Sequence, residues 1–167
     1  MTQTERRDHL TRMMTEHGDA IFRMCCLHLR DEKLAEDAAQ ETFLKAFRKL
    51  DSFRGECREL TWLTGIAINV CRDFLRTAWL RRVDRNIDIS LLPECAQADE
   101  YPDPTVLNEV MRLPAKLREV ILLRFYQGLT IQEAADALHI GASAVKSRQR
   151  RAGELLRQRL KEWYDEE

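Results

Sequence analysis

Residues 128–151, GLTIQEAADALHIGASAVKSRQRR, decide the fold of the carboxy-terminal part of the chain. Thr130 is followed three residues later by Glu133, which is the spacing of a capping box, so a short helix is predicted to start here. That helix ends at Leu138, the next four residues form a turn, and Ser143 is predicted to cap a second helix. Two helices joined by such a short turn predict a helix-turn-helix.

The second predicted helix, residues 143–163, has two faces when its side chains are placed at about 100° per residue. The face predicted to be buried is apolar and comprises Val145, Ala152, Leu155, Leu156 and Leu160. The other face is polar and basic near the start of the helix, with Ser143, Lys146, Ser147, Arg150 and Arg151. In a recognition helix, the amino-terminal end is the part that meets DNA. Arg150 or Lys146 would pair with guanine, and Arg148 and Arg151 would contact phosphates.

The distribution of charge supports DNA binding more clearly than the net charge of −1 does. Residues 142–161 contain seven basic side chains against one acidic, a net of +6, whereas residues 84–109 contain seven acidic against one basic, a net of −6. A solvated basic face is the simpler alternative for residues 142–161. Within a capped helix-turn-helix, a concentration of positive charge favours DNA binding instead.

Composition and periodicity predict an all-α protein with two small helical domains. The chain has only 6 Gly and 4 Pro, is 44% hydrophobic and 33% charged, and lacks a strand pattern. The helical segments expected are 6–29, 32–50, 59–82, 105–113, 115–127, 130–138 and 143–163. The domains are predicted at residues 1–82 and 105–167, joined by a flexible acidic linker at 83–104. Without a long apolar stretch or a secretory signal, a cytoplasmic protein is expected.

The five cysteines predict neither a disulfide framework nor a zinc site, because their number is odd and no CxxC pair occurs. Cys25, Cys26 and His28 are close in sequence, but zinc usually needs a second pair of ligands. Cys25 and His28 continue an apolar helical stripe and are predicted to pack in a core; the stripe is Leu10, Met13, Met14, His17, Ile21 and Met24. No metal and no cofactor are expected. A thiol redox sensor that uses Cys25, Cys26 or Cys57 stays open as an alternative.

The segment 32–50 carries an unusual polar surface opposite its apolar side. The stripe expected to be buried is Ala35, Ala39, Phe43, Ala46, Phe47 and Leu50. The opposite side shows Asp37, Gln40, Glu41, Leu44 and Lys45, so a leucine is exposed among charged and amide groups. Spacing alone also allows a simple ion pair between Glu41 and Lys45.

The next segment combines a glycine turn, aromatic side chains and a basic helix. Phe53, Arg54 and Gly55 form the turn, and Trp62 lies near the start of the helix that follows. The predicted inner face of that helix is Leu60, Leu63, Ala67, Val70 and Phe74, with Arg72 and Arg76 on another side and Arg81 and Arg82 at its end. Aromatic and polar groups beside basic ones suit the binding of unstacked bases. Taken singly, Trp62 is more typical of a core residue.

Together these motifs resemble the extracytoplasmic-function (ECF) group of the sigma-70 family of RNA polymerase sigma factors. The matching blocks are AEDAAQETF at 35–43, FRGE at 53–56, TWL at 61–63, IAIN at 66–69, LP at 113–114, REV at 118–120, GLT at 128–130, EAA at 133–135, VKSR at 145–148 and RA at 151–152. Their order and spacing carry the resemblance, which covers about residues 21–160.

The resemblance implies a role for each surface. Asp37, Gln40, Glu41 and Leu44 would dock on the clamp helices of core RNA polymerase. The −10 promoter element would be read and melted by Phe53, Arg54, Gly55, Glu56, Cys57, Arg58, Trp62, Asn69, Arg72 and Arg76. The helix-turn-helix would read the −35 element in the major groove. Catalysis stays with the polymerase, so the chain itself is not expected to be an enzyme.

The resemblance also implies a regulatory partner, an anti-sigma factor, which would hold the cytoplasmic protein inactive, in some cases at the inner face of the membrane. Two departures limit what can be carried over. Gln149 replaces a residue that is usually apolar, which predicts looser packing of the recognition helix, and Cys57 lies in a loop that varies with promoter choice, so the promoter sequence is not predicted.

The linker length agrees with this reading, although a solvated spacer explains it equally well. Its 22 residues span about 25 Å as a flexible coil and about 75 Å when extended, and two helical turns of DNA span about 70 Å. The main alternative is a conventional helix-turn-helix regulator that binds duplex DNA without joining the polymerase. It explains the carboxy-terminal domain but neither the Asp37–Gln40–Glu41 surface nor the segment 53–69.

Overall fold

The computed structural model describes residues 1–80 and 104–165. The chain divides into two compact units, residues 1–88 and 89–167. Every long element in the described ranges is a helix, which confirms the all-α prediction. The predicted linker 83–104, apart from Pro104, lies outside the described residues, as do Arg81 and Arg82. Among the described helices, none is both long and apolar enough to cross a membrane.

Within residues 1–80, the first unit is a bundle of three helices that all contact one another: α1 (Gln3–Leu29), α2 (Glu32–Arg48) and α3 (Glu59–Leu80). A short 3₁₀ turn, Leu50–Ser52, follows α2. A capping box starts α1 one turn earlier than periodicity predicted, because the Thr2 hydroxyl accepts from the Glu5 amide and the Glu5 carboxylate accepts from the Thr2 amide. These hydrogen bonds, the one from the Thr2 backbone first, lower the pKa of Glu5.

The hydrophobic core of the first unit matches the predicted stripes only in part. Cys25 and His28 are buried as expected, but Met14 is 47% exposed, so its assignment to the core was wrong. On α2, Ala38 and Thr42 are buried, whereas Ala39 and Phe47 are only half-buried. The reason is geometric, since α2 packs against both α1 and α3, and its buried face is rotated from the predicted stripe toward Ala38 and Thr42.

The described part of the second unit, residues 104–165, contains the helices α4 (Pro104–Met111), α5 (Ala115–Ile121), α6 (Ile131–Leu138) and α7 (Ala142–Asp165). Pro104 occupies the first position of α4, where its missing N–H costs little. The predicted helix 115–127 ends earlier, because the chain widens into a π turn at Leu122–Tyr126.

α6, a tight turn and α7 form the predicted helix-turn-helix. The capping box of α6 is confirmed: the Glu133 amide donates to the Thr130 hydroxyl at 3.1 Å, and the Thr130 amide donates to the Glu133 carboxylate at 3.3 Å. His139 closes α6 in the left-handed conformation, with φ of 55°. The prediction that Ser143 caps α7 was wrong. The carbonyl of Gly141 already accepts from the Val145 amide at 3.2 Å, so α7 starts at Ala142.

Small side chains allow α6 and α7 to approach closely, as predicted. Ala134 and Ala135 on α6 are buried, and so are Val145 and Ala152 on α7. Leu155, Leu156 and Leu160 are half-buried farther along α7. This packing fixes which side of α7 faces solvent.

Candidate nucleic-acid interface

The solvent face of α7 carries most of the residues predicted to bind the −35 element. Ser143, Lys146, Ser147, Arg150 and Arg151 are exposed, and Arg148 is half-buried. Val145 between them is fully buried, which fixes the rotation of the helix about its axis. The first three turns of α7 therefore present hydroxyl groups and basic side chains together, at the end of the helix that carries a partial positive charge. This is a surface suited to phosphates and to base edges in the major groove.

Arg124 accommodates Gln149, the polar residue that was predicted to loosen α7. Its Nε donates to Oε1 of Gln149 at 3.1 Å, and its Nη1 donates to the carbonyl of Leu129 at 2.6 Å. Gln149 is half-buried and so needs a polar partner. One guanidinium thus ties α7 to the π turn and to the segment before α6, a contact that the sequence did not reveal.

A groove of about 760 Å³ runs beside this basic face in the second unit. Its lining is mainly apolar and includes Val106, Val110, Ile121 and Phe125, the last of which is 60% exposed. Lys146 and Arg150 also line the groove. They therefore border both an apolar surface and the basic face of α7.

In the first unit, the loop at residues 53–58 joins the 3₁₀ turn to α3. The rings of Phe53 and Trp62 are stacked, with centroids 4.7 Å apart and an interplanar angle of 26°. Gly55 has φ of 75°, a conformation that glycine adopts without strain. Arg54, Glu56 and Arg58 are exposed and Cys57 is half-buried. The loop thus offers charged groups beside an aromatic pair.

The adjoining surface of α3 carries the remaining predicted −10 residues. Asn69, Arg72 and Arg76 are exposed and follow one another at intervals of three and four residues, so they share one face. Arg72 donates to Oδ1 of Asn69 at 3.4 Å, and Arg76 pairs with Asp73 at 2.8 Å. Val70 and Cys71 lie buried behind them. This surface and the loop belong to the same unit.

The polar face of α2 brings together the four residues predicted to bind the polymerase. Asp37, Gln40 and Leu44 are exposed and Glu41 is half-buried. Leu44 is 50% exposed, which is unusual for a large apolar side chain. Ala38 and Thr42 are buried, so this face points away from the bundle. An apolar side chain ringed by polar groups is typical of a protein-binding surface.

A network around Glu59 was missed by sequence reasoning. Arg12 donates to Oε2 of this carboxylate at 2.8 Å, while Nε2 of His17 and of His9 lie 3.1 Å and 3.3 Å from its two oxygens. Burial raises the pKa of Glu59, but the hydrogen bonds from Arg12 and His9 and the charges of Arg12 and His17 outweigh it, so the pKa lies below its ordinary value. The hydrogen bond to Glu59 raises the pKa of Arg12.

Sequence reasoning also missed a contact beside the start of the loop 53–58, at the opposite end from Glu59. Arg6 forms an ion pair with Asp51 in the 3₁₀ turn and donates to the carbonyl of Phe47 at 2.8 Å. Its guanidinium also lies 5.1 Å from the centroid of the Phe47 ring, within the range of a cation–π contact. The partners are 41 and 45 residues apart in sequence, so no local pattern predicts them.

Metal-ligating side chains come together at one place in the described ranges. Donor atoms of Glu16, His17 and Glu59 all lie within 4.8 Å of one another. Arg12 pairs with both carboxylates there, at 3.0 Å and 2.8 Å, and so already supplies a positive charge. Cys25, Cys26 and Cys71 are buried and Cys57 is half-buried.

These features define a class of protein: an all-helical transcription factor with a DNA-binding helix-turn-helix in its second unit. The family description Sigma-70 region 2 matches residues 13–81, and Sigma-70, region 4 matches residues 110–158. The chain belongs to the sigma-70 family of RNA polymerase sigma factors, in its ECF group.

A curated relative and two solved structures agree with this assignment. The chain is 31% identical to the ECF RNA polymerase sigma factor SigW of Bacillus subtilis (strain 168), over 87% of this chain and 86% of that protein. It resembles CnrH, solved in complex with the cytosolic domain of CnrY, with a TM-score of 0.69 and 26% identity over 93% of this chain and 89% of that chain. The sigma factor RpoE of Bartonella quintana, solved with the anti-sigma factor NepR, has the same fold, with a TM-score of 0.72 and 24% identity over 90% and 96% of the two chains.

Proposed function

We propose that the chain binds core RNA polymerase and directs initiation at promoters that have a particular −10 and −35 element. The observation that carries this proposal is that two units, which match regions 2 and 4 in order, each expose a surface of different chemistry. The first unit exposes a mixed polar and apolar face on α2, and the second exposes a basic face on α7. A sigma factor needs both kinds of surface, one for protein and one for DNA.

The face of α2 is proposed to bind the clamp helices of the polymerase. Leu44 would supply apolar area, since its side chain is half exposed in the free protein. Asp37, Gln40 and Glu41 surround it and would set orientation through hydrogen bonds and charge. A regulator that binds duplex DNA without joining the polymerase leaves this surface unexplained.

The loop 53–58 and the exposed face of α3 are proposed to hold the −10 element. Strand separation exposes bases that stack on aromatic rings and pair with polar groups. The Phe53–Trp62 stack and the Asn69–Arg72 pair would serve these purposes. Glu56 is acidic and Cys57 carries a thiol, whereas Arg54 and Arg58 in the same loop are basic. Glu56 and Cys57 would therefore bear on which base is accepted.

The helix α7 is proposed to read the −35 element from the major groove. Arg150 and Lys146 are exposed one turn apart and would reach base edges, with Arg148 and Arg151 on phosphates. Ser143 and Ser147 would contact the backbone or a base by hydroxyl. Residues 83–104 would serve as a linker between a domain at 1–82 and a domain at 105–167.

Catalysis is assigned to the polymerase, so the chain is proposed to be a binding subunit and not an enzyme. It is proposed to act in the cytoplasm. Its activity would be controlled by an anti-sigma factor. The solved relative CnrH is in complex with a cytosolic domain of another protein, which supports the proposed location and the proposed control by a protein partner.

Binding to bacterial core RNA polymerase, measured by co-elution in gel filtration, tests the proposed function without knowledge of a promoter. One-to-one binding is expected, after which run-off transcription on genomic DNA would identify the promoters. A well-folded protein that fails to bind its cognate core enzyme would overturn the proposal and favour a conventional helix-turn-helix regulator.

A further inference from the structure

The amino-terminal part of α1 contacts both ends of the loop 53–58. Arg6 pairs with Asp51, two residues before the loop begins. Arg12 and His9 bind Glu59, the first residue after the loop ends. The contacts are made by one continuous helix, so the separation of the two ends depends on α1.

The residues that make these contacts are spaced to share one face of α1. Arg6, His9 and Arg12 follow each other at intervals of three residues. His17, five residues after Arg12, adds a further contact to Glu59. The match to region 2 begins at residue 13, so Arg6, His9 and Arg12 precede the family's described region.

Each ion pair joins a half-buried side chain to a more exposed one. Glu59 is 18% exposed and its partner Arg12 is 46% exposed, while Arg6 is 21% exposed and its partner Asp51 is 64% exposed. Arg6 also binds the carbonyl and the ring of Phe47, so three separate interactions fix its position. The capping box at Thr2 and Glu5 secures the turn of helix from which Arg6 projects. Several partly shielded contacts that share one helix act as a unit, unlike a single surface ion pair.

We propose that Arg6, His9 and Arg12 form an amino-terminal clamp, which fixes the ends of the loop 53–58 in the conformation that binds a base of the melted −10 element. This inference rests on the proposed function, since it assigns the clamp to the same −10 site. The clamp residues are positioning residues and do not touch the DNA. A loop held by its ends gives up less conformational entropy on binding, and its binding-competent conformation is populated more often.

The test compares the variant Arg6→Ala with Arg12→Ala and a matched control, Arg7→Ala with Lys33→Ala. Both control residues are exposed in the same unit, and their replacement removes the same number of positive charges as the replacement of Arg6 and Arg12. Holoenzyme reconstituted with each full-length variant is titrated with a fork-junction DNA, whose −10 segment is single-stranded and whose promoter was identified by run-off transcription. Hydrogen–deuterium exchange of the amides at residues 53–58 is measured on the same proteins.

The clamp variant is expected to bind the single-stranded −10 segment about tenfold more weakly, if the competent loop population falls to about a tenth. Its amides in the loop are expected to exchange faster, while its affinity for core polymerase and for a −35 duplex stays unchanged. The control is expected to match the wild type. Unchanged −10 affinity and unchanged loop exchange would overturn the proposal. An equal loss of core-polymerase binding would also overturn it, because a general structural role would then explain the result.

If the variant Arg6→Ala with Arg12→Ala fails to fold, a charge swap provides the independent measurement. Arg6→Glu alone is expected to weaken −10 binding, and addition of Asp51→Arg is expected to restore part of it. No recovery in a folded double swap would contradict the clamp. A wild-type protein that binds neither core polymerase nor −10 DNA would refute the proposed function itself. If the wild type binds and the clamp variants bind equally well, only the clamp is refuted.

Discussion

The guanidinium of Arg124 donates a hydrogen bond from Nε to Oε1 of Gln149, at 3.1 Å. The same side chain donates to the carbonyl of Leu129 at 2.6 Å, so it connects three segments of the second unit. Arg124 and Gln149 are both half-buried. Because each would otherwise bury unpaired polar atoms, the two residues stabilise the orientation of α7 as a pair.

Replacement of Arg124 by Met is expected to destabilise the second unit by about 1–3 kcal/mol, since Gln149 and the Leu129 carbonyl would lose a charged donor. Native-state amide hydrogen exchange of the second unit in increasing denaturant would measure the change. Arg151→Met is the control, because Arg151 is exposed on the same unit and its loss should change stability by less than about 0.5 kcal/mol. Equal stability of both variants would show that the Arg124 contacts contribute nothing.

The capping box of α6 shows which parts of the structure a sequence can reveal. Thr130 and Glu133 are three residues apart, so the start of α6 was predicted from local chemistry and is confirmed. The contact between Arg124 and Gln149 spans 25 residues, and that between Arg12 and Glu59 spans 47. Single-sequence periodicity carries no information on such pairs.

The errors at helix ends and in the core have a similar physical origin. The π turn at Leu122–Tyr126 continues a helical pattern, so periodicity did not distinguish it from α5. Gly141 and Ser143 are both acceptable caps, and the hydrogen bond from Val145 to Gly141 decides between them. Met14 has a core composition but projects from a part of α1 that its neighbours do not cover. In each case the outcome depended on backbone hydrogen bonds or packing that residue spacing does not show.

The polar face of α2 predicts a specific loss of polymerase binding. The variant Gln40→Ala with Glu41→Arg is expected to bind core polymerase at least about tenfold more weakly, because it removes a hydrogen-bonding group and reverses a charge beside Leu44. Surface plasmon resonance with immobilised core enzyme would measure the affinity, and circular dichroism would verify the fold. Glu32→Arg, an exposed charge reversal at the first residue of α2 and outside the predicted docking surface, is expected to bind normally. Normal affinity in the folded double variant would remove α2 as the docking surface.

The exposed position of Arg150 predicts a role in reading the −35 element. Arg150→Ala is expected to cost about 1–3 kcal/mol on a cognate duplex and clearly less on a random duplex of the same length. Fluorescence anisotropy at a fixed salt concentration would compare the two. Arg157→Ala, two turns farther along α7, is the control and should leave discrimination intact. Equal losses on both duplexes would instead indicate that Arg150 contacts phosphate.

The lowered pKa of Glu59 predicts how the stability of the first unit depends on pH. A carboxyl group with a lower pKa in the folded than in the unfolded state stabilises the fold above its unfolded pKa, and this contribution disappears as pH falls through the folded pKa. Glu59→Gln should therefore be less stable than the wild type by about 1–3 kcal/mol at pH 7, where the carboxylate accepts from Arg12. The difference should shrink steadily below about pH 4.3. Urea unfolding from pH 7 to pH 3 measures it, with the exposed Glu56→Gln as control. A difference that stays constant over this range would show that the network stabilises the fold by packing and not by the charge on Glu59.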